Sequence, residues 1–371
     1  MKLLLWHWGR KGGGPMYTYE MAKALADMPS VQVQLSLSRQ SELWEQSQEL
    51  GLPGWSPDTY TGKLSAAWAS AKLPSLRSEF SAYLRRERFD WVCCTMTHAW
   101  NLPMLGKVRQ SGARHLMVLH DALLHPGERS LIRARMLKAE VRRADAVVTL
   151  SEFVRAQAVE AYGLDPARLR VIPHGPFFYG QPKAQPRAMP TGRPFRLLFF
   201  GRILAYKGLG LLLEAVRLLR RDFPEVELIV AGQGRLGDKN QAALGELGAR
   251  VINRWLEAGE VSRIIEEGDL LVAPYTSASQ SGVLPLAYAH ALPVVATQVG
   301  GLQEQVLPGE TGLLSGPPDA ASLARTIAQV MRDPELYARL SAGARDYAAQ
   351  GIAWPNLARQ LLEAMQEAPR R

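Results

Sequence analysis

The chain has 371 residues, 47 % of them hydrophobic and 21 % charged, and carries a net charge of +9. That length suits two domains better than one core, and the composition is that of an ordinary soluble globular protein. No apolar run reaches the roughly 18 residues of a membrane span, two adjacent cysteines (Cys93 and Cys94) cannot staple a disulfide framework, and the positive charge leaves nucleic acid, anionic lipid or a phosphorylated substrate as partners.

Strand-like and helical runs alternate along the chain. Leu3–Trp8 reads as a first strand rather than a signal peptide, since no small-residue cleavage site follows it. A Gly-rich turn and a helix over 16–26 come next. Val31–Leu37 alternates as a half-exposed strand does. Phe89–Thr95, His115–Asp121, Ala144–Ser151 and Leu169–Gly175 read as further buried strands with helices between them, which predicts a parallel sheet. Five prolines between Pro176 and Pro194 forbid a regular element and mark a linker. The alternation then restarts, with strands at Phe195–Arg202, Val226–Gly234, Ala249–Leu256, Asp269–Tyr275 and Pro293–Thr297. Helices are expected at Leu209–Arg221, Ser322–Arg332 and Pro334–Gln350. The expected division is 1–175, a linker over 176–194, 195–350, and a helical tail over 351–371 that packs back on the first domain. Open sheets of this kind bind ligands outside the carboxyl ends of their strands.

Two turns carry phosphate-binding character. Gly9–Pro15, "GRKGGGP", lies between a strand and a helix, where Gly13 and Gly14 let the backbone approach an anion at a helix start. It is neither G-x-G-x-x-G nor a Walker loop. Gly201–Gly208, "GRILAYKG", sits in the same setting and adds Arg202 and Lys207, a fork and a point charge that suit a diphosphate. A third stretch, "SASQSGVLPLAYAHALPVVAT" (Ser277–Thr297), pairs a polar Gly-containing turn with a buried strand, yet holds no carboxylate. The amides of Ser281, Gly282 and Val283, just ahead of a helix, are expected to bind phosphate oxygens there.

These motifs resemble the retaining, nucleotide-sugar-dependent glycosyltransferases of family four. The resemblance rests on Gly201-Arg202 with Lys207-Gly208, on "PVVAT…GG…E…GETGLL" (Pro293–Leu314), and on "MVLHDALL" (117–124), "VVTLSEF" (Val147–Phe153) and "VIPHG" (Val171–Gly175) in order. It implies a GT-B fold: two doubly wound Rossmann-like domains facing a central cleft, the first for the acceptor and the second for a nucleotide-diphosphate sugar. It implies retention by front-face attack, with the departing phosphate taking the acceptor proton, and no cofactor. It places His120 against the donor sugar, Leu256 beside the nucleobase, and Glu304 on the donor. The two glutamates usual in that family would fall at Ala278 and Leu286, so the chain departs from the pattern there. No D-x-D pair occurs, and metal-independent transfer is expected, with Arg202 and Lys207 opposing the leaving charge.

The implied product is a surface or extracellular polysaccharide, made by a hexosyltransferase-type enzyme in the cytoplasm, from a glycan, lipid-linked or small-molecule acceptor. The basic amphipathic run over 129–143 could rest on the inner face of the membrane through anionic lipid. Alternatives are a nucleotide-sugar epimerase of the same architecture and a degenerate sugar-nucleotide-binding protein. No helix-turn-helix, zinc spacing or aromatic RNA-binding strand points to nucleic acid.

Overall fold

The computed structural model describes residues 1–62, 65, 69–123, 130–179, 183 and 185–369. They fall into two units, Met1–Pro173 with Trp354–Arg371, and His174–Ala353.

The first unit runs β1 (Lys2–His7), α1 (Gly13–Ala26), β2 (Gln32–Leu37), α2 (Trp44–Glu49), α3 (Leu73–Glu87), β3 (Trp91–Cys94), α4 (Asn101–Gln110), β4 (Arg114–Leu119), α5 (Leu131–Arg143), β5 (Ala146–Thr149), α6 (Glu152–Tyr162) and β6 (Leu169–Val171). The six strands are all parallel, in the order β2-β1-β3-β4-β5-β6. Apolar runs such as Leu3–Trp6 and Val147–Val148 are buried because helices cover both faces of a parallel sheet. In "VVTLSEF", Ser151 caps α6 by accepting the Val154 amide at 3.2 Å, which ends the strand and starts the helix within three residues.

β2 differs from the half-exposed strand expected of it. Five of its six residues are buried. The polar alternates are satisfied internally: the Trp8 indole donates to Ser36 Oγ at 3.0 Å, and Gln34 donates to Glu87 at 2.9 Å and accepts from the Tyr83 hydroxyl. The Leu35 amide bonds the Pro53 carbonyl at 3.0 Å, so the segment after α2 covers this edge. Binary patterning cannot separate a solvated polar side chain from one with a buried partner.

The second unit runs β7 (Arg196–Phe200), α7 (Leu209–Leu219), β8 (Glu227–Ala231), α8 (Asp238–Glu246), β9 (Arg250–Ile252), α9 (Ala258–Glu267), β10 (Leu270–Ala273), α10 (Val283–Ala289), β11 (Val294–Ala296), α11 (Leu302–Gln305), β12 (Gly312–Leu314), α12 (Ala320–Arg332) and α13 (Pro334–Asp346). Its parallel sheet has the order β12-β11-β10-β7-β8-β9. Along β7 the side chains alternate between two cores: Leu197 and Phe199 join the core with α7, α12 and α13, and Leu198 joins the one with α9 and α10. Each such side chain contributes about 1.5–3 kcal/mol by burial.

The proline-rich segment belongs to this second unit rather than standing as a linker. Arg187 straps it down. Its guanidinium donates to the carbonyls of His290 at 2.8 Å and Gly268 at 2.6 Å, and to Ile265 at the end of α9 at 3.2 Å. Its amide donates to Ser341 Oγ at 2.6 Å. Cationic donors suit the unpaired carbonyls of a helix C-terminus.

The last helix, α14 (Trp354–Glu367), returns to the first unit. Its buried residues Trp354, Leu357, Ala358, Leu361 and Met365 form one helical stripe. Trp354 meets Tyr17 of α1 edge-on with ring centroids 5.1 Å apart. Arg114 donates to the Ala368 carbonyl at 3.0 Å, and Arg170 pairs with Glu367 at 2.8 Å. No helix among the described residues is long and apolar enough to cross a membrane.

Candidate functional site

Each sheet reverses its strand order once, between β1 and β3 in the first unit and between β7 and β10 in the second. Doubly wound sheets open a ligand crevice at such a point, beyond the carboxyl ends of the strands.

In the first unit the Gly-rich turn already holds an anion of the chain itself. The Gly12 amide, which precedes α1, donates to Glu42 Oε1 at 2.7 Å. A carboxylate of the chain thus takes the Gly12 amide, one residue ahead of the Gly13 and Gly14 expected to meet a phosphate. Gly13 and Gly14 are the first residues of α1, and Gly14 is small for packing: a Cβ on it would lie 2.4 Å from His7 Nε2 and 2.9 Å from Met96 Sδ. The buried His7 ring packs against Gly14, and burial pushes its pKa down to about 3.

His120 follows β4 and is buried. Its Nε2 lies 2.9 Å from the Thr95 carbonyl at the end of β3. A carbonyl only accepts, so Nε2 carries the proton and Nδ1 is the basic nitrogen. Burial holds its pKa below the ordinary imidazole value, offset in part by Asp121. The Tyr17 ring stands edge-on to it at 5.4 Å. His120 thus meets Thr95 and Tyr17 beside the reversal point of this sheet. Leu124 and Arg129, within two of the motifs read from the sequence, lie outside the described residues.

In the second unit the loops after β7 and β10 meet across the reversal. Gly208 has φ +71°, and a Cβ on it would lie 1.8 Å from the Pro274 carbonyl oxygen, so only glycine lets the two loops approach this closely. That approach brings Lys207 to Tyr275. Lys207 is 7 % exposed, and its Nζ donates to Tyr275 Oη at 2.8 Å while lying 4.7 Å from the centre of the same ring. Tyr275 Oη is 3.1 Å from Ser281 Oγ, which also accepts the Val283 amide at 3.3 Å. A Cβ on Gly201 would sit 3.3 Å from Lys207 Nζ and 3.2 Å from Val283 Cγ2, so the starts of the β7 loop and of α10 converge on the ammonium. Among the described residues no carboxylate pairs with Lys207, and Tyr275 takes one of its three N–H groups. A buried cation without a counter-ion is costly, so this arrangement suits an anionic ligand. Arg202 is exposed on the same loop.

The "SQSG" turn is built differently from the amide cradle expected of it. The Ser281 amide donates to Gln305 Oε1 at 2.6 Å, and Gln305 Nε2 returns a bond to the Ser281 carbonyl at 3.0 Å. The Ser281 and Val283 amides are therefore already used. Gly282 has φ −72°, an ordinary helical value, so its backbone tolerates a side chain. Space is what limits it: a Cβ would lie 3.3 Å from His174 Nε2. Leu256 is a core residue packed with Val261 and Ile265, four residues beyond the short edge strand β9. Glu304 is exposed in α11, and its neighbour Gln305 is the residue that reaches the turn.

Tyr275, Gln305 and His174 were not legible as site residues. A search for acids in "GGLQEQV" passes over Gln305, and only the strand order sets Tyr275 beside Lys207. Among the described residues no group of three or more His, Cys, Asp or Glu is placed to hold a metal ion.

Residues 12–175 match the family of glycosyl transferase 4-like domains, and residues 194–333 match the glycosyl transferases of group 1. A D-inositol 3-phosphate glycosyltransferase of Arthrobacter sp. (strain FB24) is 28 % identical, over 96 % of this chain and 90 % of that one. A glycogen synthase of Mycobacterium tuberculosis is 29 % identical, over 72 % of this chain and 65 % of its own length. The solved structure of Anabaena HepE in complex with UDP superposes with a TM-score of 0.76 at 20 % identity, covering 99 % of this chain and all of that one (100 %). The fold is GT-B.

Proposed function

The chain is a glycosyltransferase of group 1, and from that premise we propose that it moves a sugar from a nucleoside-diphosphate sugar to an acceptor hydroxyl with retention of anomeric configuration. The observation that carries the reading is the buried, carboxylate-free ammonium of Lys207 at the β7–β10 reversal. There it opposes the charge that grows on the leaving diphosphate, and Tyr275, Ser281 and Gln305 hold it in place. A fixed cation in a water-poor site stabilises such charge far better than water does. Arg202, on the same loop, supplies a second cation to the diphosphate. The anomeric C–O bond to the β-phosphate breaks, the acceptor oxygen forms the new C–O bond on the same face, and its proton passes to the departing phosphate oxygen. His120, with Nδ1 as its basic nitrogen, lines the sugar side in this reading. The chain's own cations serve in place of a metal clamp.

Incubating the full chain with a panel of nucleotide sugars and acceptors in EDTA tests this, with the product's anomeric coupling read by NMR. Transfer with unchanged configuration is expected. Donor converted to its epimer without acceptor replaces the reading with an epimerase. Tight donor binding without turnover replaces it with a degenerate binding protein.

For the acceptor we propose a membrane-linked glycan of the polysaccharide-building class, used at the cytoplasmic face. Leu131 and Ile132 of α5 are 79 % and 70 % exposed and are flanked by exposed Arg133, Arg135 and Lys138. Apolar tips framed by cations suit an anionic lipid surface. Co-sedimentation with phosphatidylglycerol vesicles but not with phosphatidylcholine vesicles is expected, lost when Leu131 and Ile132 become serine. Equal recovery with both vesicle types removes this placement.

A further inference from the structure

At the amino end of the first sheet, where β4 and β5 begin, lies a cavity of about 700 Å³. This is the opposite end of the sheet from the reversal-point crevice. Four arginines converge on the cavity: Arg77 from α3, Arg109 from the last turn of α4, and Arg142 and Arg143 from the last turn of α5. One carboxylate lines it, Asp145, and that group is engaged by the main-chain amide of His115 at 2.8 Å. Among the described residues no carboxylate pairs with Arg77, Arg109 or Arg143.

His115 lines the same cavity. It is 5 % exposed, and both of its ring nitrogens lack a hydrogen-bond partner. Burial brings its pKa down to about 4, so the ring is neutral and offers one donor and one acceptor. Leaving both unmade costs about 1–3 kcal/mol each unless something fills the space.

Helix C-termini attract cations, which accounts for arginines in the last turns of α4 and α5. It does not account for Arg77, whose Nη2 reaches to 3.9 Å from where a Cβ on Gly106 of α4 would stand. Nor does it account for the unpartnered imidazole. The four arginines are exposed, so solvent screens their mutual repulsion, and an anion among them would gain several charge-assisted hydrogen bonds at once. The cavity lies within the size range of small-molecule sites, and Leu102, Pro103 and Leu105 add an apolar wall for a carbon frame.

We propose that this cavity binds a small phosphorylated ligand, its phosphate gripped by the forks of Arg77, Arg109 and Arg143. The ligand is an effector rather than a reactant, because the cavity lies at the end of the sheet away from the crevice. α5 joins the two ends: Arg142 and Arg143 line this cavity, and Arg133 and Glu140 line a second one of about 340 Å³ beside His98, which follows β3. The site does not depend on the transfer reaction.

Calorimetric titration with inorganic pyrophosphate tests it, using the Lys207→Ala chain as host so that the diphosphate site of the second unit is silent. The host is expected to bind pyrophosphate. Adding Arg109→Ala with Arg143→Ala is expected to weaken binding at least about tenfold. Gly106→Leu removes no charge and favours the helix, yet it fills the cavity and is expected to weaken binding as strongly. Should the arginine variant not fold, Gly106→Leu alone decides. Absence of binding by the host overturns the proposal. So does loss in the arginine variant with normal binding by Gly106→Leu, which would mark a diffuse charge effect.

Discussion

Replacing Lys207 with methionine is expected to raise the melting temperature of the unliganded protein while slowing sugar transfer by about thirty- to a thousandfold, or some 2–4 kcal/mol. The two effects share one cause. Lys207 is nearly buried, and the only hydrogen bond that its ammonium makes among the described residues is donated to a neutral hydroxyl. Methionine keeps the length of the side chain and the packing against Tyr275 while removing a desolvated charge. The cost that disappears from the free protein is the interaction that a diphosphate would otherwise receive. A stabilised chain that has lost activity is the common signature of a site kept strained for function. Melting curves with and without a nucleoside diphosphate read both sides at once, since a ligand bound only to the native state raises its stability. The parent should show the ligand-induced rise and the variant should not. A variant that melts lower than the parent, and still gains from the ligand as the parent does, would assign Lys207 to the core instead.

Acid is expected to weaken both units well before carboxylates of ordinary pKa titrate. In the first unit burial brings His7 down to about 3 and His98 and His115 to about 4. Burial also pushes Glu20 and Glu140 up to about 7. Between about pH 6.5 and pH 4.5 the unfolded chain protonates those three histidines and the folded chain does not, while the folded chain keeps two glutamate protons that the unfolded chain releases. Unfolding therefore takes up about one proton, three less two, and stability falls by about 1.4 kcal/mol per pH unit as the pH drops. Below about pH 4.5 the glutamate offset fades and the fall steepens. In the second unit His290, lowered to about 4 chiefly by burial, takes up one proton without an offset, giving a similar slope. His120, also lowered, adds to the first unit. Over those two pH units the second unit loses about 3 kcal/mol and the first, with His120, more, a sizeable part of an ordinary domain's stability. Urea unfolding followed between about pH 6.5 and pH 4.5 measures this. A flat profile would mean that these histidines are charged or solvated in the native state.

The parallel sheets were legible because doubly covered strands are written as apolar runs such as "LLLW" and "AVVT", which few other structures require. The reach of the site across the chain was not. Lys207 and Arg202 could be singled out from a strand-to-helix turn, since charge after a strand is a local signal. Tyr275 lies 68 residues from Lys207 in sequence, and Gln305 lies 24 from Ser281. Neither pair has a local signature, and only the order in which strands lie side by side brings them together. Polar residues misled for the same reason. Gly12 reads as a phosphate turn until Glu42 is seen against it, and Gln34 and Ser36 read as solvated until Glu87 and Trp8 are placed.

The chain leaves the first unit after Pro173 and re-enters it at Trp354, so the second unit is one uninterrupted stretch and the first is not. This fixes an order in time during synthesis. Every residue of the second unit leaves the ribosome before α14 does, and domains generally fold as units while the chain emerges. The second unit can therefore finish while the first still lacks a helix. Until Trp354 arrives, the face of α1 that α14 will cover, with the Tyr17 ring that Trp354 meets, stays open. The newborn protein thus spends the whole translation of residues 174–353 with an unfinished first unit, and any delay in the second prolongs that wait. A stall in the middle of the message leaves behind a first unit that has never been closed.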